Sequence, residues 1–234
     1  MLGVVAAIVF LAVLLLGAVH AAVLANLPEE LVLDREVEEE DLPPEVVELA
    51  RTIEGLGFER IGPALHVPLR PPSLILPLMS RAEACYACVI RAAATPPRTI
   101  FEFVTRFEQE DGCLSTTHEP SAGVLPAGAA DFRQIFPGAD PATVHARHVE
   151  GVRHLREKGL RLLSASPERF EQGLCDAFPR VRRAFLEARV RNTLTALGRT
   201  LTKRSPFEGP VASQPRAAIR IRRLTGALHA EAVL

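Results

Sequence analysis

The chain has 234 residues, a formal net charge of −1, no Trp and a single Tyr. That length holds one domain rather than two, and the scarcity of flat aromatic faces argues against a carbohydrate-binding or base-stacking platform. Four cysteines in a chain of this size define no disulfide framework.

Leu2 to Ala25 is an unbroken apolar run in which His20 is the only polar side chain, and no Asp, Glu, Lys or Arg precedes Glu29. At about 1.5 Å per residue such a helix crosses the roughly 30 Å hydrocarbon core of a bilayer, so residues 1–27 read as a single-pass transmembrane anchor. A cleaved signal peptide needs a positive n-region and a shorter apolar core, and this run offers neither, although Val19-His20-Ala21 or Val23-Leu24-Ala25 fits a peptidase site. The expected location is the cell membrane, with residues 2–25 in the bilayer. The domain is assigned to the cytoplasmic side because Arg35 is the one basic residue flanking the run. Between Glu29 and Glu48 stand ten acidic residues against that single Arg, and residues 28–41 read as a solvated acidic spacer.

A domain over residues 42–204 follows. Asp41-Leu42-Pro43-Pro44 opens a helix with Val46, Leu49, Ala50 and Ile53 at helical spacing, closed by Gly55 and Gly57. Extended segments are predicted over Phe58–Leu69, Ser73–Ser80 and Ala82–Ala92, with Pro63, Pro68 and Pro77 at breaks or edges. Phe101, Phe103, Thr105 and Phe107 alternate with Glu102, Val104 and Arg106. The turn Glu110-Asp111-Gly112 then returns the chain through Cys113 to His118, which predicts a hairpin with one face in the core. Asp140-Pro141 caps a helix running to about Lys158 and stopping at Gly159. Ser166-Pro167-Glu168 starts another, which Pro179 should kink or divide. Val181, Phe185, Val190, Leu194, Leu197 and Leu201 continue an amphipathic pattern with a basic outer face. Residues 205–234 read as a linker and C-terminal tail, in which a short strand, a short helix and a frayed end all fit. The fold class is α+β: a transmembrane helix, then a roughly four-stranded antiparallel meander with helices packed on one face.

Gly55-Leu56-Gly57-Phe58, the strand Phe101 to Phe107 with Asp111-Gly112 and Leu114-Ser115-Thr116-Thr117, and Ala146-Arg147-His148 form a pattern that covers roughly Leu49 to Phe185. It resembles an uncharacterised group of bacterial proteins with an N-terminal membrane segment and one small α+β domain. The resemblance implies an architecture and no activity. Where that group would carry an Asn after the Thr pair, this chain has His118.

On the helix after Asp140, Val144, Val149, Val152 and Leu155 span one arc, and His145 and His148 fall within it, so two imidazoles are predicted to face the sheet. A buried imidazole needs partners, available from Thr105, Thr116, Thr117 or Glu102. Two readings follow: a satisfied His bridging helix to strand, or a ligand pocket using His148, His145, Thr116 and His118. His154 falls on the opposite, solvated side. Two His at a spacing of three residues lack the third ligand of a catalytic metal. Cys85, Cys88, Cys113 and His118 spell C-x2-C-x24-C-x4-H, yet on an extended strand Cys85 and Cys88 point to opposite faces. No metal, cofactor or catalytic residue is therefore assigned. Phosphate-binding glycine loops and a nucleophile elbow are missing from the sequence, which argues against nucleotide chemistry and a hydrolase triad.

From Ala177 to Arg223 twelve Lys or Arg face only Glu187 and Glu208. The basic helix over residues 180–204 reads first as a solvated helix face; next to an anchor, contact with anionic lipid is the second reading, and nucleic acid is the least supported. The function expected is a binding or structural domain held at the membrane, and the alternative is an enzyme or receptor using the pocket around His145 and His148.

Overall fold

The computed structural model describes residues 35–67, 72–93, 96–120, 130–187, 189–202 and 205–231, with positions 17, 18, 21, 29, 31, 33 and 128. Apart from positions 17, 18 and 21, the apolar run lies outside this set. Among the described residues no helix is long and apolar enough to cross a membrane.

Part of the acidic stretch expected as a spacer belongs to the domain. Arg35–Val37 forms β1, Leu31 is buried, and Arg182 Nη2 donates to Glu29 Oε1 at 2.8 Å. Leu31, Leu33 and Val37 supply the apolar side chains that the surrounding carboxylates obscure. The first full helix, α1 (Pro44–Glu54), places Pro44 in its first turn, where a missing N–H breaks no helical bond, and buries Val46, Ala50 and Ile53.

One mixed sheet organises the rest. Its strands are β1, β2 (Glu59–Arg60), β3 (Ala64–Val67), β4 (Ser73–Ser80), β5 (Cys85–Ala92), β6 (Arg98–Arg106), β7 (Cys113–Thr117) and β8 (Phe132–Ile135). They lie in the order β1-β3-β4-β5-β6-β7-β8, with β2 beside β4. The antiparallel meander thus runs from β3 to β7 rather than over about four strands, and β8 joins β7 in parallel. Pro77 sits inside β4, opposite the gap between β2 and β3. Its carbonyl accepts from the Ile61 N–H there at 3.3 Å, so its missing donor leaves the β5 ladder intact. At the β6–β7 turn the positive φ angles fall on Glu110 and Asp111, not on Gly112. Gly112 is required for space: a Cβ there would stand 2.6 Å from the Ala130 carbonyl oxygen.

Both faces of the sheet carry helices, where one face was expected. Strands β4 and β5 are buried almost continuously, the pattern of a sheet covered on both sides rather than of one wetted on alternate residues. Phe101, Phe103, Thr105 and Phe107 are buried on the face covered by α1 and α2 (Pro141–Glu157). Asp140 caps α2 by accepting from Thr143 N–H at 3.0 Å, and beyond Gly159 the Leu160 N–H closes the helix on the Leu155 carbonyl at 3.1 Å. The other face carries α3 (Pro167–Glu187), with Phe170, Leu174 and Phe178 turned to the strands. Tyr86 Oη pins the start of α3 by donating to the Ser166 carbonyl and accepting from the Ser166 N–H, both at 2.9 Å.

Pro179 does not divide α3, which continues to Glu187. In α4 (Arg189–Thr202), Asn192 donates to the carbonyls of Ala184 and Phe185 at 3.0 and 3.3 Å, satisfying acceptors that the end of α3 leaves open. The stretch read as linker and tail is built into the core. There α5 (Pro215–Glu231) buries Ala217, Ile221 and Leu224 with Val211 against Phe107, Leu114, Phe132 and Leu155.

Candidate functional site

His148 lies at the centre of the α2 face, 1% exposed. Its Nε2 is 2.8 Å from Thr105 Oγ1 on β6 and its Nδ1 is 2.9 Å from Thr116 Oγ1 on β7. A threonine hydroxyl both donates and accepts, so either neutral tautomer satisfies both ring nitrogens. Burial, with a smaller contribution from His145, holds the imidazole neutral by lowering its pKa to about 3. The network continues outward. Gln134 Nε2 donates to Thr116 Oγ1 at 3.0 Å and to the Arg147 carbonyl at 3.2 Å, while its Oε1 accepts from Val211 N–H at 2.8 Å. Gly151 makes room for it, since a Cβ on α2 at that point would stand 2.6 Å from Gln134 Nε2. These bonds join α2, β6, β7, β8 and the segment before α5, and they occupy the groups that a ligand at His148 would use.

His145 is half-buried one turn away, its Nε2 2.7 Å from Glu83 Oε2, with the ring against Phe58 and Phe103 at 5.3 and 5.2 Å. His118 follows β7 and stacks on Phe101 at 4.2 Å. Its Nδ1 is buried with no hydrogen-bond partner among the described residues, and burial lowers its pKa. The structure therefore brings His148 and Thr116 into direct contact, whereas His145 and His118 reach the same region only through phenylalanine rings. Val149, placed by spacing on the inner arc, is 40% exposed, because it lies at the margin of that arc where α2 turns from the sheet. No three His, Cys, Asp or Glu residues among those described are grouped to hold a metal ion. Cys85 packs on the α1–α2 face and Cys88 on the α3 face, and burial pushes both thiols up, Cys85 to about 12. Neither is a ready thiolate at neutral pH.

Open space lies on the opposite face. A cleft of about 320 Å³ separates the sheet from α3, with Ile75, Tyr86, Ile90 and Val104 on one side and Phe170, Leu174, Phe178 and Val181 on the other. Toward β7 and β8 the same sheet face turns polar, with Glu102, Ser115, Cys113 and Arg133. Burial raises the Glu102 pKa, and the Ser115 hydroxyl and the Arg133 charge offset part of the rise. The Cys113 thiol donates to Asp131 Oδ1 at 3.5 Å and is held well above its ordinary pKa by burial and by that carboxylate. At the rim, guanidinium groups fasten α3 to the rest: Arg106 Nη1 donates to the Arg169 carbonyl at 3.1 Å, and Arg180 Nη1 to the Asp111 carbonyl at 2.7 Å. A broader depression of about 580 Å³ near the end of α2, lined by Arg153, Arg156 and Arg161, lies open at the surface and has no second wall among those residues.

Sequence reasoning missed this cleft because Glu102, Val104 and Arg106 look like the wet side of a hairpin. The signal was present in α3, where Phe170, Leu174, Phe178, Val181 and Phe185 repeat at helical spacing and require an apolar surface to cover. An apolar-walled cavity with a few convergent polar groups has the form of a small-molecule site, and its thiols, held protonated by burial, are not ready nucleophiles. Compared with known proteins, the chain matches no family model, no curated protein and no solved structure.

Proposed function

We propose that this is a single-pass membrane protein whose domain binds an apolar-tailed ligand in the cleft between the sheet and α3. The observation that carries the reading is the cleft itself: two apolar walls, of which the sheet side turns polar toward β7 and β8 with Glu102, Ser115 and Arg133. Walls of that kind favour an aliphatic chain by the area they remove from water, and the polar groups at one side orient a polar head. Its position supports a membrane-derived ligand. Leu31, six residues beyond the apolar run 2–25, belongs to the same apolar cluster as Ile75, Tyr86, Cys88 and Phe170. The alternative, an enzyme pocket around His145 and His148, has less support because both nitrogens of His148 are taken by threonines. The anchored, cytoplasm-facing arrangement belongs to the same proposal; the anchor rests on the length and lack of charge of residues 2–25, and the orientation on Arg35.

Lauric acid, dodecylamine and dodecanol, added in turn to the full chain in nanodiscs, test the site by thermal shift. At least one should raise the melting temperature, and Leu174→Trp, which fills the cleft, should abolish that rise. No shift with any of the three, or a shift that survives Leu174→Trp, sinks the cleft reading. The anchor is tested separately by mass spectrometry of the native protein, where a mature N-terminus at Ala22 or Asn26 defeats it.

A further inference from the structure

Three large apolar side chains are exposed close together in sequence at the corner between α3 and α4: Leu186, Val190 and Leu194, at 39, 60 and 54%. Val190 and Leu194 stand one turn apart on α4, so they share a face, while Thr193 on the inner side is buried. Arg183 and Arg191 are exposed beside them. Solvated helices seldom present such a stripe without something to cover it. The cover is indicated by where the chain enters the domain. Arg182, on the last turns of α3, is paired with Glu29 at 2.8 Å, and Glu29 stands four residues beyond the end of the apolar run 2–25. The stripe is therefore tied within a few residues of the segment assigned to the bilayer.

We propose that the α3–α4 corner lies on the surface of an anionic bilayer, with Leu186, Val190 and Leu194 at the level of the upper acyl chains and Arg183 and Arg191 against phosphate and carboxylate head groups. Apolar residues on one side of a helix and guanidinium groups beside them are what an interfacial helix requires. The proposal rests on the anchor reading for its geometry, and it goes beyond the cleft reading by naming the surface on which α3 sits. It also sets the mouth of the cleft beside lipid, since Phe178 and Val181 of the cleft wall precede the corner on the same helix.

The natural absence of Trp makes the test direct. Full-length Leu14→Trp, Val149→Trp and Leu194→Trp variants are reconstituted separately into phosphatidylcholine–phosphatidylserine vesicles, with and without lipids brominated along the acyl chain. The proposal expects the indole of Leu194→Trp to be blue-shifted and quenched about two-fold or more by the brominated lipid, and less so without phosphatidylserine or at high salt. The indole of Val149→Trp, on α2 across the sheet, should stay unquenched. Quenching of Leu14→Trp with none of Leu194→Trp overturns the surface contact and leaves the anchor standing. Failure of Leu14→Trp to quench overturns the anchor, and with it the surface contact unless Leu194→Trp quenches by itself. A blue shift of Leu194→Trp without bromine quenching assigns the stripe to a second copy of the chain and overturns the proposal.

Discussion

Phe103 and Val104 are neighbours on β6, yet Phe103 is fully buried among Phe58, Phe101 and two imidazoles, whereas Val104 walls a cleft. The α1–α2 face is filled, and its polar groups are spent on one another through His148, Thr105, Thr116 and Gln134. On the α3 face the helix is held at its ends, by Tyr86 at Ser166 and by Arg180 at Asp111, with space left beneath its middle. Side-chain alternation delivers residues to both faces alike, so the strands do not decide which face closes. The decision lies with the helices. Gly151 lets α2 come down onto β7 and β8, whereas on α3 the space left at Gly173 is taken by the Arg106 guanidinium, 2.9 Å from where a Cβ would stand.

The sharpest way to break this comparison is to truncate its two neighbours. Phe103→Ala should cost about 3–5 kcal/mol through lost burial and a residual cavity, and Val104→Ala about 1 kcal/mol, read from urea unfolding of the full chain in detergent. Equal losses would mean that the cleft is as tightly packed as the opposite face. A pH titration of stability sharpens the contrast, because the two faces titrate in opposite senses. Burial holds His148 near 3 when folded against about 6.5 when unfolded, so acidification between those values protonates the unfolded chain first. Stability should fall there by up to about 1.4 kcal/mol per pH unit. Glu102 is raised on folding, so its contribution is present at low pH and is lost as pH rises through its folded value. In melting curves taken across that range, His148→Gln should flatten the acid slope at a standing cost of about 1–3 kcal/mol, and Glu102→Gln should steepen it. An unchanged slope in His148→Gln would place the titrating group elsewhere. The smallest effect is expected at Leu174→Ala, about 1 kcal/mol or less in stability, together with a weakened melting shift from whichever alkyl probe binds.

Much of the α1–α2 face was legible in the sequence. Four alternating residues from Phe101 to Phe107 fixed one side of β6, the cap at Asp140 and the stop at Gly159 bounded α2, and helical spacing turned His148 toward the threonines that hold it. What stayed hidden depends on partners distant in sequence. Short β1 and β8 carry too few residues for a period, and the parallel pairing of Leu114 with Phe132 leaves no local trace. A continuous apolar run such as Leu74 to Met79 fits a strand whose second face is covered, yet it does not say by what. In α5, Ala217, Ile221 and Leu224 did keep helical spacing, but three positions in so short a segment left strand, helix and frayed end all open.

Tyr86 has a consequence for how the protein can be observed. With one Tyr and no Trp in 234 residues, nearly all absorption at 280 nm arises from the ring whose hydroxyl is bonded to Ser166. Its pKa is raised, chiefly by burial, and a tyrosinate could no longer donate to the Ser166 carbonyl. Lifting the start of α3 from β5, by heat, alkali or an entering ligand, would thus change the near-ultraviolet spectrum at a single chromophore, and the unlabelled wild-type chain carries its own optical reporter of that helix.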